Sequence, residues 1–242
     1  MKYSIIIPVL NEEKLLPGLL SQLNDPLLKK KYDYEIIVSD GGSTDKTIEI
    51  ALKSADTLKM QDGSIKRNIA QGRNDGAKMA KGEILIFLNG DIHLPSADSF
   101  FRYIDTTFVN SKYLALTCIV QVFPEEEIYS DRIFHWVYNT YFMLLNNSGV
   151  GMGRGECQVI RKNIFQVVNG NNEDLAAGED FDLFRRIRKH GDILFTNKIA
   201  VYESPRRYRK IGYWGVSWSW IKNSVSVIIR NQSISKEWEQ VR

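Results

Sequence analysis

The stretch EILIFLNGDIHL, residues 83–94, runs through five apolar residues and stops on Asn89, Gly90 and Asp91. All three residue types favour turns, which gives one reading. The other is chemical, because open α/β sheets bind their ligands at the carboxyl ends of their strands. Two more strand-like runs end in the same way. YSIIIPV (3–9) leads into Asn11 and Glu12, and YEIIVSD (34–40) ends on Asp40 ahead of Gly41 and Gly42. In a parallel sheet these three tips emerge at one edge, so positions far apart in sequence converge on one crevice.

A fourth acidic group lies in GEDFDLFRRIRKHG, residues 178–191. Acids in a first helical turn suit the helix dipole, and Asp182 can pair with Arg186 one turn on. Helical spacing puts Asp180 on the face of Leu183, Phe184 and Ile187. It turns Asp182 toward solvent with Arg185, Arg186 and Lys189. A carboxylate on an apolar face is partly desolvated, which raises its pKa and suits a general base.

The elements that must position these groups alternate in the first half. The strand at 3–9 precedes a helix through Leu15, Leu16, Leu19, Leu20 and Leu23, with Asn11 as N-cap and Glu12 and Glu13 in its first turn. The strand at 34–40 precedes a helix starting near Ser43 or Thr44, and a small-residue helix over 64–82 feeds the strand EILIFLN. This order predicts a parallel sheet covered on both faces over about residues 1–110. Beyond it come a strand at 113–123, an apolar helix at 128–145, a glycine-rich loop at 148–156, a helix near 178–190 and a strand, DILFTN. Nothing resembles a linker, so the two halves, 1–110 and 111–242, are expected to share one core.

Composition narrows the function classes. The 242 residues are 43% hydrophobic and 25% charged with a formal net charge of +3, ordinary for a globular protein and too small to imply nucleic acid. Cys118 and Cys157 stand far apart with no metal-ligand spacing, which argues against a zinc site or a disulfide framework. His93, His135 and His190 form no ligand pattern. The N-terminus lacks the features of a signal peptide, and no run of apolar residues is long enough to cross a bilayer, so a cytoplasmic protein is expected. The glycines near 149–155 follow an apolar helix rather than the first strand, which argues against a dinucleotide fingerprint.

SIIIPVLNEE, EIIVSDGGSTDKT, GRNDGAKMAKGE, ILIFLNGD and GEDFDLFRRIRKHG occur in the order found in family 2 glycosyltransferases, and over residues 3–191 the chain resembles that family. The resemblance implies a GT-A fold: a Rossmann-like, mostly parallel sheet with helices on both faces and an acceptor-side C-terminal portion. It implies transfer of a sugar, with inversion, from a nucleotide diphosphate donor to a hydroxyl. Pro8, Leu10 and Glu12 would border the base and ribose, and Asp40 would accept from the base, the N3–H of uracil in a UDP-sugar. Arg73 would approach the base or phosphates; as a residue alone it reads as a surface arginine. Asp91 matches the last position of a DxD-type motif that binds Mg²⁺ or Mn²⁺ across the donor's phosphates. Asn89 stands where that motif has its first Asp, keeping an acceptor for a ribose hydroxyl but no charge. Asp180 would deprotonate the acceptor, with Glu179, Arg154 and Glu156 as acceptor contacts.

The tail, ESPRRYRKIGYWGVSWSWIKNSVSVIIR, admits three readings. Trp214, Trp218, Ile221, Val225 and Ile228 at helical spacing describe a core face. The cations before them could reach the donor's phosphates as a flap. Cations followed by an aromatic amphipathic helix also describe contact with a membrane surface, consistent with a lipid-linked rather than a purely carbohydrate acceptor. Two rivals to a transferase are a catalytically weak sugar-nucleotide-binding protein, suggested by Asn89, and a nucleotidyltransferase.

Overall fold

The computed structural model of the chain describes residues 1–61, 68–230 and 232–234. The first residues of the helix expected over 64–82 and the end of the tail therefore lie outside the described residues. β1 (Tyr3–Val9), β2 (Tyr34–Asp40), β3 (Thr57–Lys59), β4 (Ile84–Leu88), β5 (Ile92–His93), β6 (Ala115–Val122), β7 (Cys157–Arg161) and β8 (Ile193–Glu203) form one sheet in the order β3-β2-β1-β4-β7-β6-β8-β5. β1 pairs in parallel with β2 and β4, and β6 with β8. β7 is antiparallel to both its neighbours and joins the two halves, as β5 is to β8. The sheet is thus mostly parallel, as expected, and continuous across the middle of the chain.

Strand side chains alternate between faces, and that alternation builds two cores. Ile5, Ile7, Ile36, Val38, Ile84, Ile86 and Leu88 point to one face. They pack there against α1 (Leu16–Leu23), α2 (Pro26–Tyr32), α3 (Thr47–Ser54) and α5 (Ala97–Tyr103), which continues as a π-turn over Ile104–Phe108. Ile6, Ile37, Leu85 and Phe87 point to the other, beneath α4 (Ile69–Met79), α7 (Lys162–Val167) and α8 (Glu179–Arg188). α4 lies very close to β1: a Cβ added at Gly76 would stand 2.4 Å from Ile6 Cγ2, so only glycine allows the approach. Two helices remain, α6 (Tyr129–Asn147) and α9 (Arg206–Arg230), the latter broken at Gly212, where φ is 78°. They pack on each other through Phe134, Tyr208 and Val216.

Three local expectations change. α1 begins at Leu16, and Asn11 does not cap it. Asn11 is instead left-handed (φ 58°), and its Oδ1 accepts from Thr44 N at 2.7 Å, tying the loop after β1 to the loop after β2. α4 starts at Ile69, because Asn68 and Gln71 form a reciprocal capping box there. β8 runs to Glu203, well past the expected end at Asn197, because it pairs with β6 along most of its length across a bulge.

Candidate active site

The tips of β1, β2 and β4 do emerge together. Asp40 ends β2 with its Oδ2 accepting from Gly42 N and Ser43 N at 2.8 and 2.9 Å. Its Oδ1 is buried without a partner, an acceptor left open at the strand edge. Pro8 and Leu10 are buried at the adjoining end of β1. A Cβ on Gly90 would meet Val9 Cγ1 at 2.9 Å and Glu12 Cγ at 3.5 Å, so the turn after β4 lies directly against the turn after β1.

One guanidinium from the far end of the chain joins these turns. Arg206 Nη2 donates to Glu12 Oε1 at 2.6 Å and to Asp91 Oδ2 at 3.0 Å. Burial, offset by the Arg206 bond and reinforced by the Asp91 charge, pushes the Glu12 carboxyl up to about 7. Glu12 Oε2 is buried with no partner. A cation already stands between these two carboxylates, and an oxygen remains open beside it, which is the donor set a hard divalent ion needs when phosphate oxygens supply the rest. Among the described residues no group of three or more His, Cys, Asp or Glu is arranged to hold a metal unaided.

The acid pair opening α8 faces the same tip. Gly178, left-handed at φ 79°, lets the chain turn into the helix. Glu179 is buried, and its Oε1 accepts from Arg73 Nη1 at 2.5 Å. Arg73 Nη2 donates to Asn89 Oδ1 at 3.1 Å and to the Gly155 carbonyl at 2.9 Å. Arg73 is therefore no surface residue: at 0% exposure it is a pivot holding the β4 tip, the glycine loop and α8 together. In this state its guanidinium is turned inward rather than toward a nucleotide. α4 and α8 lie on the same sheet face, which is why Arg73 and Glu179 meet.

Asp180 is part-buried at this junction. A Cβ on Gly155 would lie 3.7 Å from Asp180 Oδ2 and 3.9 Å from Asn89 Nδ2, so the base candidate lies close to Asn89, which is itself two residues along the chain from Asp91. Desolvation, then the Glu179 charge, raise the Asp180 carboxyl to about 7. Arg73 opposes the rise, Glu156 adds to it, and the hydrogen bond from Phe181 N opposes it. Asp182 departs from expectation: it is buried rather than solvent-facing, and its Oδ2 holds Arg186 Nε at 2.8 Å. Arg186 also donates to the Val168 carbonyl, which draws that side of α8 against α7.

Arg154 and Glu156, expected as acceptor contacts, form a buried network. Arg154 bonds Glu156 at 3.2 Å and Glu203 at 3.4 Å. Burial acts to raise the Glu156 carboxyl, but Arg154 overcomes it and holds the group low. Glu203 is pushed up to about 8 by burial and by Glu156, and Tyr208 donates to it at 2.6 Å. His135 is buried beside them with neither ring nitrogen bonded, and desolvation takes it down to about 3, so it is neutral.

Sequence reasoning missed Glu203, Tyr208 and His135, and did not choose Arg206 from among its basic neighbours. Glu203 carried a signal, a carboxylate at a strand tip, but only the true length of β8 reveals it.

A family model described as Glycosyl transferase family 2 matches residues 4–168. The poly(ribitol-phosphate) beta-glucosyltransferase of Bacillus spizizenii is 34% identical over 121 residues, or 48% of this chain and 19% of its own length. The PGL/p-HBAD biosynthesis glycosyltransferase of Mycobacterium bovis is 38% identical over 104 residues, 41% of this chain and 39% of its own. The chain thus spans well under half the length of these curated relatives. Among solved structures, S. aureus TarS 1–349 superposes with a TM-score of 0.61 at 17% identity, over 98% of this chain and 67% of that one. The mannosyltransferase PcManGT from Pyrobaculum calidifontis, in complex with GDP-Man and Mn²⁺, gives 0.64 at 16% identity over 90% and 64%. The shared architecture is the GT-A fold. With well over half of its length matched by the family model, the chain belongs to glycosyl transferase family 2.

Proposed function

We propose that the chain transfers a sugar, with inversion, from a nucleotide diphosphate donor of the UDP-sugar type to a hydroxyl of a carbohydrate or lipid-linked acceptor. The observation that carries this reading is the nearness of a carboxyl titrating at about 7, Asp180, to the strand tip bearing Asn89 and Asp91. A general base works best with a pKa close to the working pH.

Asp180 takes the acceptor proton as the acceptor oxygen forms its bond to the anomeric carbon. The bond from that carbon to the diphosphate oxygen breaks, and the nucleotide diphosphate leaves with the electron pair. Attack opposite the leaving group inverts the centre. Asp40 Oδ1 suits a donor N–H on the base, while Pro8 and Leu10 wall that end of the cleft. Glu12 and Asp91 would hold Mg²⁺ or Mn²⁺, which when bound stabilises the charge on the departing diphosphate. Arg206, released from those carboxylates, then has phosphate oxygens as its natural partner. Arg73 and Glu179 fix the β4 tip against α8, so the base keeps its aim.

The titratable Asp180 favours a transferase over a protein that only binds sugar nucleotides. The test is turnover of a panel of nucleotide sugars with and without Mn²⁺, beside calorimetry with UDP. Metal-stimulated release of UDP supports transfer. UDP binding with no turnover of any donor supports the binding-only rival, and pyrophosphate release from a nucleoside triphosphate supports a nucleotidyltransferase.

A further inference from the structure

Beyond Gly212, α9 is apolar on two opposite faces. Val216, Asn223 and Val227 are buried and Trp220 is partly buried, an inward stripe recurring every three or four residues that packs against α6 through Val216 and Trp220 and against Leu175 and Phe181 through Val227. Trp214, Trp218, Ile221 and Val225 recur at the same spacing on the other side, and all are exposed, Trp214 at 89% and Trp218 at 61%. α6 repeats the arrangement. Phe134, His135 and Phe142 turn inward, whereas Tyr129, Ile133, Trp136, Tyr141 and Leu144 are exposed, Trp136 at 68%. The inward faces meet through ring contacts, Tyr138 with Trp220 at 5.0 Å and Phe134 with Tyr213 at 5.1 Å. A helix on the surface of a globular protein buries one stripe and is polar on the other. Two packed neighbours that both carry aromatic outward stripes mark a contact surface.

Charge selects the partner. α9 holds Arg206, Arg207, Arg209, Lys210, Lys222 and Arg230 and no acidic residue. Arg206 is engaged by Glu12 and Asp91, and Arg209 by Asp131. Arg207, Lys210, Lys222 and Arg230 are exposed, and the Lys222 ammonium stands 5.9 Å from the centre of the Trp218 ring. α6 carries one acid, Asp131, which is buried and paired with Arg209, and Glu125, Glu126 and Glu127 precede the helix. Glu127 is paired with Arg132, and the Glu126 carbonyl accepts from Arg209. Exposed indoles flanked by cations on long apolar stems match the boundary between acyl chains and anionic headgroups. Among the described residues no helix is long and apolar enough to cross a membrane, so such a contact lies on the bilayer.

We propose that the outward faces of α6 and α9 dock the protein on an anionic lipid surface, with Trp136, Trp214 and Trp218 at headgroup depth and the α9 cations against lipid phosphates. α9 starts at Arg206, whose guanidinium lies in the candidate active site, so the cleft and the docking face, which begins at Trp214 past the break at Gly212, belong to one continuous segment. A hydroxyl carried on a lipid would therefore arrive at the cleft from the docked side.

The test is co-sedimentation of the intact chain with vesicles of phosphatidylcholine alone or mixed with phosphatidylglycerol, at low and high salt, read with tryptophan emission. The expected result is binding to the phosphatidylglycerol vesicles with a blue shift, weakened by salt and by omission of the anionic lipid. The double variant Trp214→Ser, Trp218→Ser should bind them about tenfold more weakly, with melting temperature and UDP binding unchanged. No preference for anionic vesicles, or equal binding by the variant, would overturn the proposal. So would a stable dimer in light scattering that the same substitutions dissolve, since the face would then join two copies of the chain. Vesicle binding is read without turnover, so its outcome is independent of whether the chain transfers sugar.

Discussion

Arg206 Nη2 and Asp91 Oδ2, 115 residues apart in the chain, lie 3.0 Å from each other, and the same nitrogen holds Glu12. A fixed organic cation thus stands where the DxD-type resemblance calls for a metal.

If Arg206 keeps that place for a metal, the two compete. The Arg206→Ala variant should bind Mn²⁺ alone more tightly by about tenfold, a typical coupling between ligands sharing a site. Its turnover should fall, because the cation that would meet the leaving diphosphate is gone. Calorimetry with Mn²⁺ and a donor-turnover assay read the two effects separately. Unchanged or weaker Mn²⁺ binding in the variant would remove the competition.

Asp180 sets both a rate and a stability profile. Transfer should rise with pH through about 7 as its carboxyl ionises. Asp180→Asn should lose about 10²–10⁴-fold in turnover while still binding UDP. The sign for stability follows from the same shift. The folded form keeps a proton to about 7 that the unfolded chain releases near 3.8. The contribution is fully present below the lower value and is lost as pH rises through the upper one. Asp180→Asn should therefore raise the melting temperature more at about pH 8 than at about pH 4. An equal effect at both would contradict burial of a charge at this position.

Asn89→Asp tests the charge missing from the β4 tip. The new carboxylate would keep the bond from Arg73 and bring a second negative charge beside Asp180. Like charges disfavour ionisation, so the acid limb of the pH–rate profile should move to higher pH. A limb that stays in place or moves to lower pH would separate Asn89 from the base.

Arg73 and Glu179 form a buried ion pair, exposed 0% and 8%. Arg73→Met leaves Glu179 uncompensated and should cost about 3–5 kcal/mol in denaturant unfolding. Adding Glu179→Gln should recover a large part of that loss, since the isolated charge is the main penalty. Additive losses in the double variant would mean the two residues act independently.

Strand positions were legible in the sequence because a short unbroken apolar run, buried on both faces, is a local signal: Ile5, Ile6 and Ile7 belong to a strand whichever neighbours it finds. Gathering Asp40, Glu12 and Asp91 at one edge also followed locally, since parallel strands share a direction. The strand and turn types at 157–161 did not follow, because an antiparallel strand joining two halves is set by its partners.

The sequence by itself determined the acids, their order along the chain and the one edge they share, all fixed by spacing and strand direction. Only the tertiary structure decided which charges meet. Arg73 became the buried pivot because α4 and α8 cover the same sheet face. Arg206 was singled out from its neighbours because the start of α9 returns to the turns after β1 and β4. Asp182, expected in water, went inside because the end of α7 lies against that side of α8, where Arg186 bonds both Asp182 and the Val168 carbonyl. Long-range pairing of charges depends on where distant helices dock, and docking is set by packing of whole surfaces, which local spacing does not encode.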